Sequence, residues 1–156
     1  MKVADLIGAA RAASLRIATA ESCTGGLVAA AITDVAGASD VFERGFVTYS
    51  NAAKVEMLAV RPQTLARDGA VSEAVAVEMA EGALAHSAAN LAVAVTGIAG
   101  PGGSVHEPEG RVCFALARKG AATRAETREF GALGRAGVRK AATRHALALL
   151  AASIGV

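Results

Sequence analysis

Aromatic residues are nearly missing from this chain of 156 residues: they make up 3%, with no tryptophan and one tyrosine. Proteins that bind RNA or single-stranded DNA by stacking need aromatic platforms, so this scarcity argues against that class. An excess of one charge is missing as well, because a net charge of +2 is too small to indicate a nucleic-acid partner. The hydrophobic fraction is nevertheless 53%, so alanine and valine must build a closely packed core.

Cysteines and long apolar runs are also scarce. The two cysteines, Cys23 and Cys113, have neither the number nor the spacing of a metal site or a disulfide framework. Reduced thiols in a cytoplasmic protein are the simpler interpretation. The first fifteen residues lack the apolar segment of a signal peptide, and no run is long enough to span a membrane. We therefore expect a cytoplasmic protein folded as a single domain over residues 1–156.

Familiar metal and nucleotide motifs are absent too. The three histidines are scattered and lack ligand spacing, so no metal site is predicted. The glycine-rich stretch 96–104 is not a P-loop, because Gly103 and Ser104 follow Gly102 where Lys and Ser or Thr would be needed. It is not a dinucleotide fingerprint either, since Val105 stands where a glycine is required. The stretch can equally be a glycine turn used only for its geometry.

Apolar periodicity predicts helices that alternate with strands. We expect helices over 2–14, 24–36, from Asn51, from Pro62 to Gly69, over 72–89 and over 135–152, and strands over 16–20, 42–50, 91–95, 111–118 and 123–130. This order indicates a three-layer α/β/α domain with a mixed sheet. Ligands of such sheets bind beyond the carboxyl ends of the strands, which is where the polar stretches 20–26, 48–54 and 96–104 fall.

The first polar stretch offers a nucleophile. Ser22 lies between the first strand and the second helix, followed by Thr24, Gly25 and Gly26. A helix N-terminus has unpaired N–H groups and a partial positive charge that favour a developing oxyanion. Ser22 is therefore a candidate nucleophile, with N–H groups around residues 24–26 as oxyanion donors. The alternative is an ordinary helix N-cap, a position that Ser and Thr often occupy.

A serine nucleophile needs a base, and no histidine lies in a polar stretch. Lys54 can serve if burial or a neighbouring cation lowers its pKa, because only the neutral amine accepts a proton. Tyr49 could relay a proton or orient this lysine. The alternatives are an exposed helix lysine and a partly exposed structural tyrosine.

Four motifs together resemble one known family. Their order and spacing are similar to those of the CinA C-terminal domain, the nicotinamide mononucleotide deamidase (PncC) family: AESCTGG at 20–26, FERGFVTYSN at 42–51, GAVS at 69–72 and TGIAGP at 96–101. The match runs from about residue 5 to 152. Several separate motifs agree, so the resemblance is more specific than a lone glycine loop.

The resemblance implies both a fold and an activity. The fold is a three-layer α/β/α sandwich with a mainly parallel, mixed sheet. The activity is that of an amidohydrolase, which converts nicotinamide mononucleotide (NMN) and water to nicotinate mononucleotide and ammonia in pyridine-nucleotide recycling. Neither a metal nor an organic cofactor is implied.

The resemblance also assigns roles to residues. Ser22 matches the family's nucleophile, and Lys54 and Tyr49 match its activating partners. Predicted substrate-binding residues are Thr24, Gly25, Gly26, Thr96, Gly97 and Arg135. The family's Phe-x-Gly-Asp-Arg reads FGALGR at 130–135 here, so the aspartate is missing and Arg139 competes with Arg135 for the phosphate.

Two further features set expectations. The segment EPEGR at 107–111 replaces the commoner Lys-Pro-x-Gly-Thr, which adds a carboxylate and an arginine and bears on ligand preference more than on chemistry. Full-length CinA proteins carry an additional N-terminal nucleotide-processing domain, for which 156 residues leave no room, so a stand-alone form is expected.

Alternatives to NMN hydrolysis stay open at this point. One is a nucleotide-binding or regulatory module of the same family that hydrolyses nothing. Another is a related carboxamide hydrolase with a different ligand. The expected small-molecule partner is a nucleotide substrate. We also expect the chain to self-associate, with a dimer as the preferred oligomer. Neither nucleic acid nor a membrane is an expected partner.

Overall fold

The computed structural model describes residues 2–156. Its elements follow in the order α1 (Val3–Ala12), β1 (Ile17–Glu21), α2 (Leu27–Thr33), β2 (Phe42–Val47), α3 (Asn51–Leu58), α4 (Pro62–Asp68), α5 (Glu73–Ala85), β3 (Leu91–Gly97), β4 (Arg111–Arg118), β5 (Arg124–Glu129) and α6 (Arg135–Ser153). A short 3₁₀ turn, Ala38–Asp40, lies between α2 and β2. None of the described helices combines the length and apolar character needed to cross a membrane.

The strands within residues 2–156 form one sheet in the order β2-β1-β3-β4-β5. β1 pairs in parallel with β2 and β3, whereas β4 pairs antiparallel with β3 and β5. β4 therefore runs against the direction that the other strands share. The predicted mixed, mainly parallel sheet is confirmed.

Helices cover both faces of the sheet, so the predicted three-layer α/β/α sandwich is confirmed as well. Side chains alternate between the faces along each strand. One face carries bulky residues such as Ile17, Val93 and Phe114 and packs against α1, α2 and α6. The other carries alanines such as Ala18 and Ala94 and packs against α3 and α5. Because alanine side chains are short, α3 and α5 can lie close to this face, and the core is filled there without aromatic residues.

Helix α2 is shorter than predicted. The helix expected over 24–36 spans Leu27–Thr33. Gly25 and Gly26, with φ angles of 58° and 107°, form a turn that a right-handed helix cannot include, so the helix begins after them.

Other boundaries also differ from prediction. Helix α5 ends at Ala85 instead of residue 89, because the chain turns to bring Asn90 Oδ1 within 2.7 Å of the Arg16 N–H before β1. β2 ends at Val47 instead of residue 50. β3 runs on to Gly97, since β4 pairs with it over its whole length.

The carboxyl ends of the parallel strands β1, β2 and β3 lie at one edge of the sheet. The three polar stretches follow these strands and converge there, as expected for an α/β sheet.

Candidate active site

An open crevice of about 370 Å³ lies at this edge of the sheet. Residues of all three polar stretches line it, together with Ala70, Val71 and the first residue of α6, Arg135. Ser22, Tyr49 and Lys54 thus line one crevice although they are distant along the chain.

Ser22 and Lys54 form a direct pair, in which Lys54 Nζ lies 2.9 Å from Ser22 Oγ. Ser22 follows β1, and its N–H donates to the Val95 carbonyl of β3 (2.9 Å). Lys54 lies in α3, whose N-terminus is capped by the Ser50 hydroxyl. Ser22 is 8% exposed and Lys54 is 1% exposed, so fixed elements hold the pair away from bulk water.

Two backbone carbonyls complete the surroundings of the Lys54 amine: Thr48 O at 2.9 Å and Tyr49 O at 3.3 Å. A protonated amine donates to both carbonyls and to Ser22 Oγ, whose own hydroxyl can donate to Tyr49 O (3.4 Å). A neutral amine donates to the two carbonyls and turns its lone pair towards the serine. Burial lowers the pKa of Lys54 from its ordinary value of 10.5, which favours this neutral form.

The Tyr49 phenol lies in the same crevice but makes no hydrogen bond with Ser22 or Lys54. It accepts a hydrogen bond from Arg135 Nη2 (2.7 Å), and Tyr49 is 59% exposed. This geometry corrects the expectation that the phenol orients the lysine, because the backbone carbonyl of Tyr49 does so. The chain turns here from β2 into α3, which directs the carbonyl inward and the side chain outward.

Of the two candidate arginines, Arg135 is the one in the crevice. Among the described residues that line it, only Lys54 and Arg135 are basic. Arg135 donates to Gly100 O (2.8 Å) and to the Tyr49 phenol, which leaves further guanidinium N–H groups for an anion. Arg139 instead donates to the backbone carbonyls of residues 23 and 24 (3.1 and 3.3 Å) and holds that turn in place.

A buried carboxylate occupies the N-terminus of α2. Glu21 is fully buried, and its two oxygens accept from the N–H groups of Val28 (2.9 Å) and Ala29 (3.0 Å). These groups are therefore not free to stabilise an oxyanion, contrary to the sequence prediction of an open helix end. Sequence reasoning missed this cap, although a glutamate that ends a strand shortly before a helix was a visible signal.

Thr24, Gly25 and Gly26 do not line the crevice, and their predicted contact with substrate stays a prediction. The glycines form the turn into α2, and the Gly25 N–H donates to Ser22 O (3.0 Å). The N–H groups of Cys23 and Thr24 donate to no other described residue. The Gly26 N–H likewise donates to no other described residue.

Thr96 and Gly97 end β3 and line the crevice, and their binding to substrate stays a prediction. The Thr96 hydroxyl donates to the Ala70 carbonyl (2.9 Å) and ties the loop before α5 to the sheet. A Cβ at position 97 would lie 2.7 Å from Val112 Cγ2, so Gly97 lets β4 pair closely with β3. Both residues shape the wall of the crevice.

Cys23 lines the crevice beside Ser22, yet its thiol is a poor nucleophile. Burial raises the pKa of Cys23 from 9.0 to about 11, so the thiolate is scarce at neutral pH. Within residues 2–156, no group of three or more His, Cys, Asp or Glu side chains is placed to hold a metal ion. The reactive pair that the geometry offers is Ser22 with Lys54.

The family model of the CinA C-terminal domain matches residues 2–154. The chain belongs to this family. Among its relatives, the nicotinamide-nucleotide amidohydrolase PncC of Escherichia coli K12 is 53% identical over 154 residues, which cover 96% of this chain and 92% of that protein. The putative competence-damage inducible protein of Symbiobacterium thermophilum is 54% identical over 145 residues, which cover 87% of this chain and 34% of that protein.

Solved structures of CinA relatives share the fold. The competence/damage inducible protein CihA from Agrobacterium tumefaciens is 48% identical, with a TM-score of 0.93 over 96% of this chain and 92% of that one. The competence damage-inducible protein A from Klebsiella pneumoniae is 38% identical, with a TM-score of 0.92 over 99% and 98%. The family and fold implied by the sequence motifs are confirmed.

Proposed function

We propose that this chain is a nicotinamide-nucleotide amidohydrolase that converts NMN and water to nicotinate mononucleotide and ammonia. The 2.9 Å contact between Ser22 Oγ and the buried Lys54 amine carries the proposal, because it supplies a nucleophile with its base. A relative that is 53% identical over nearly the whole chain bears the name of this activity.

The first half of the reaction is acyl transfer. Neutral Lys54 takes the proton of Ser22 as Oγ forms a bond to the carboxamide carbon of NMN. The tetrahedral intermediate then breaks its C–N bond, the leaving nitrogen receives the proton from Lys54, and ammonia departs. The nicotinoyl group remains on Ser22 as an ester.

The second half returns the enzyme to its starting state. Water attacks the ester carbon and gives a proton to Lys54, which passes it to Ser22 Oγ as the ester bond breaks. The product is the carboxylic acid, nicotinate mononucleotide. Lys54 therefore carries each transferred proton, first from Ser22 Oγ to the leaving nitrogen and then from water to Ser22 Oγ.

The N–H groups of Cys23 and Thr24 are the proposed oxyanion donors. Cys23 directly follows the nucleophile and Thr24 is the next residue, and neither N–H donates to another described residue. A donor of this kind is worth on the order of 3 kcal/mol of barrier lowering. These groups replace the N-terminus of α2, which the Glu21 carboxylate fills.

Arg135 is the proposed partner of the 5′-phosphate. It is basic, lines the crevice and retains free N–H donors, and a planar guanidinium binds phosphate with two parallel bonds. Tyr49 would hold the guanidinium in place, and Thr96 and Gly97 would form the wall against which the substrate lies.

The proposal extends to a cytoplasmic location and to a homodimer. Apolar side chains on the surface, including Leu27, Val47 and Met57, support self-association because such groups gain from leaving water. Light scattering coupled to size-exclusion chromatography reads the oligomeric state directly, and a monomer at micromolar concentration would remove this part of the proposal.

Ammonia release from three compounds tests the function. Purified protein incubated separately with NMN, nicotinamide and NAD should release ammonia from NMN fastest. Release from another carboxamide but not from NMN would indicate a hydrolase with a different ligand. A rise in melting temperature with NMN and no ammonia would indicate a binding module instead.

A further inference from the structure

The carboxylate of Glu109 joins two separate loops at the crevice. Its Oε1 accepts from the Gly102 N–H (2.6 Å), in the glycine-rich loop after β3. Its Oε2 accepts from the Gly134 N–H (2.8 Å), at the N-cap of α6. Each oxygen thus holds one loop, and the two loops are linked through one side chain.

The backbone beside Glu109 is fixed between the same loops. The Gly110 N–H donates to Ile98 O (2.9 Å), and the Phe130 N–H donates to Gly110 O (2.8 Å). Because the chain is tied on both sides, the carboxylate is presented to Gly102 and Gly134 from a set position. This segment is EPEGR, which the sequence comparison with the family pattern singled out.

Arg135 contacts the same two loops that the Glu109 carboxylate joins. It directly follows Gly134, and its Nη1 donates to Gly100 O (2.8 Å), two residues before Gly102. Its place between the glycine-rich loop and the Tyr49 phenol therefore depends on both loops that Glu109 holds.

Glu109 also serves a helix end that has no cap of its own. The N-cap of α6, Gly134, has no side chain, and the first turn of α6 contains no acidic residue. A carboxylate near a helix N-terminus compensates the partial positive charge of the free N–H groups. Glu109 supplies that charge from another segment of the chain.

We propose that Glu109 is a positioning residue that clamps the two loops and thereby holds Arg135 for the substrate phosphate. The inference rests on the proposed function, since a phosphate-bearing substrate is what Arg135 would bind. Glu109 itself touches neither Ser22 nor Lys54, so it acts on binding and leaves the chemistry alone.

Glu109→Gln tests the clamp, because the amide keeps the size of the side chain but has one acceptor oxygen instead of two. The KM for NMN should rise about 3- to 10-fold, as expected for one lost hydrogen bond to a carboxylate, with kcat nearly unchanged. Glu81→Gln is the control, since Glu81 is exposed on α5 and does not line the crevice. Its KM should stay at the value of the unmodified chain.

A double-mutant cycle separates the clamp from a general loss of order. If Glu109 acts through Arg135, then Arg135→Ala and Arg135→Ala combined with Glu109→Gln should have the same KM. The proposal would be overturned if the two substitutions raised KM by factors that multiply in the double variant. It would also be overturned if Glu109→Gln lowered kcat with unchanged KM, or left KM unaltered.

Failure of the proposed function would be recognised separately. If the unmodified chain releases no ammonia from NMN, hydrogen exchange of the Gly102 and Gly134 amides tests the clamp without substrate. Both amides should exchange faster in Glu109→Gln and not in Glu81→Gln. Equal exchange in the two variants would overturn the clamp.

Discussion

The two ends of the crevice differ in their exposure to solvent. At one end, Ser22 and Lys54 are buried and their polar atoms face each other and backbone carbonyls. At the other end, the exposed Tyr49 phenol bonds Arg135, which begins a helix next to two loops. Burial shifts the pKa of an amine and strengthens electrostatic interactions, whereas exposure keeps a guanidinium accessible to an anion.

This difference matches the two ends of the proposed substrate. NMN has a neutral carboxamide, which must reach a nucleophile away from water, and a charged phosphate, which a solvated arginine can capture. The buried end should therefore control kcat and the exposed end should control KM. Substitutions at each end should therefore change one of these two constants and not the other.

Lys54→Met should have a large effect on the buried end, because it removes the proposed base. Methionine fills a similar volume without an amine, so general-base catalysis is lost and kcat should fall roughly 10³-fold with little change in the Kd for NMN. Steady-state ammonia release and calorimetric binding measure the two quantities. Lys119→Met, in the exposed turn between β4 and β5, is the control and should have normal kcat. A kcat within about tenfold of the unmodified chain would remove Lys54 from the role of base.

The pH dependence of kcat/KM is a second test of the buried Ser22–Lys54 end. Burial lowers the pKa of Lys54, and only the neutral amine can accept the Ser22 proton. As pH falls through this lowered pKa, kcat/KM should decrease about tenfold per pH unit, whereas above it the rate should be level. A constant kcat/KM down to the pH at which the protein unfolds would contradict the assignment.

Arg135→Ala should break the exposed end. Loss of charge-assisted bonds to the phosphate should raise the KM for NMN about 10- to 100-fold, with kcat nearly unchanged. Nicotinamide riboside, which has no phosphate, should be hydrolysed equally by both forms of the protein. Arg128→Ala, on the exposed face of β5, is the control and should have normal KM. An equal loss with the riboside would show that Arg135 does not recognise the phosphate.

Tyr49→Phe should give the smallest effect. The phenol bonds Arg135 and not the Ser22–Lys54 pair, so its removal should raise the KM about threefold and leave kcat almost unchanged. A direct activating role, which the family resemblance implies, requires instead a large fall in kcat. Steady-state kinetics with NMN decides between the two roles.

The fold and the buried pair could be predicted from the sequence because both follow from periodicity. Apolar strands alternating with helices indicate parallel pairing, and parallel strands bring their carboxyl ends to one edge of the sheet. Ser22 and Lys54 follow two such strands, so their convergence needed no knowledge of side-chain contacts.

The features that the sequence did not predict depend on the directions of single side chains. Glu21 turns back to cap α2, Tyr49 turns outward to Arg135, and Glu109 reaches across to Gly134. Each contact joins residues whose separation is fixed only by tertiary packing. Periodicity carries no information on which of several nearby partners a polar side chain selects.

The most direct test of the central claim, that the buried Ser22–Lys54 pair performs amide hydrolysis, is Ser22→Ala measured for both turnover and binding of NMN. Without the nucleophile, ammonia release should fall by roughly 10⁴-fold or more, while the calorimetric Kd for NMN stays within about threefold because Arg135 and the crevice wall are intact. Ammonia release by Ser22→Ala at a rate close to that of the unmodified chain would contradict the account.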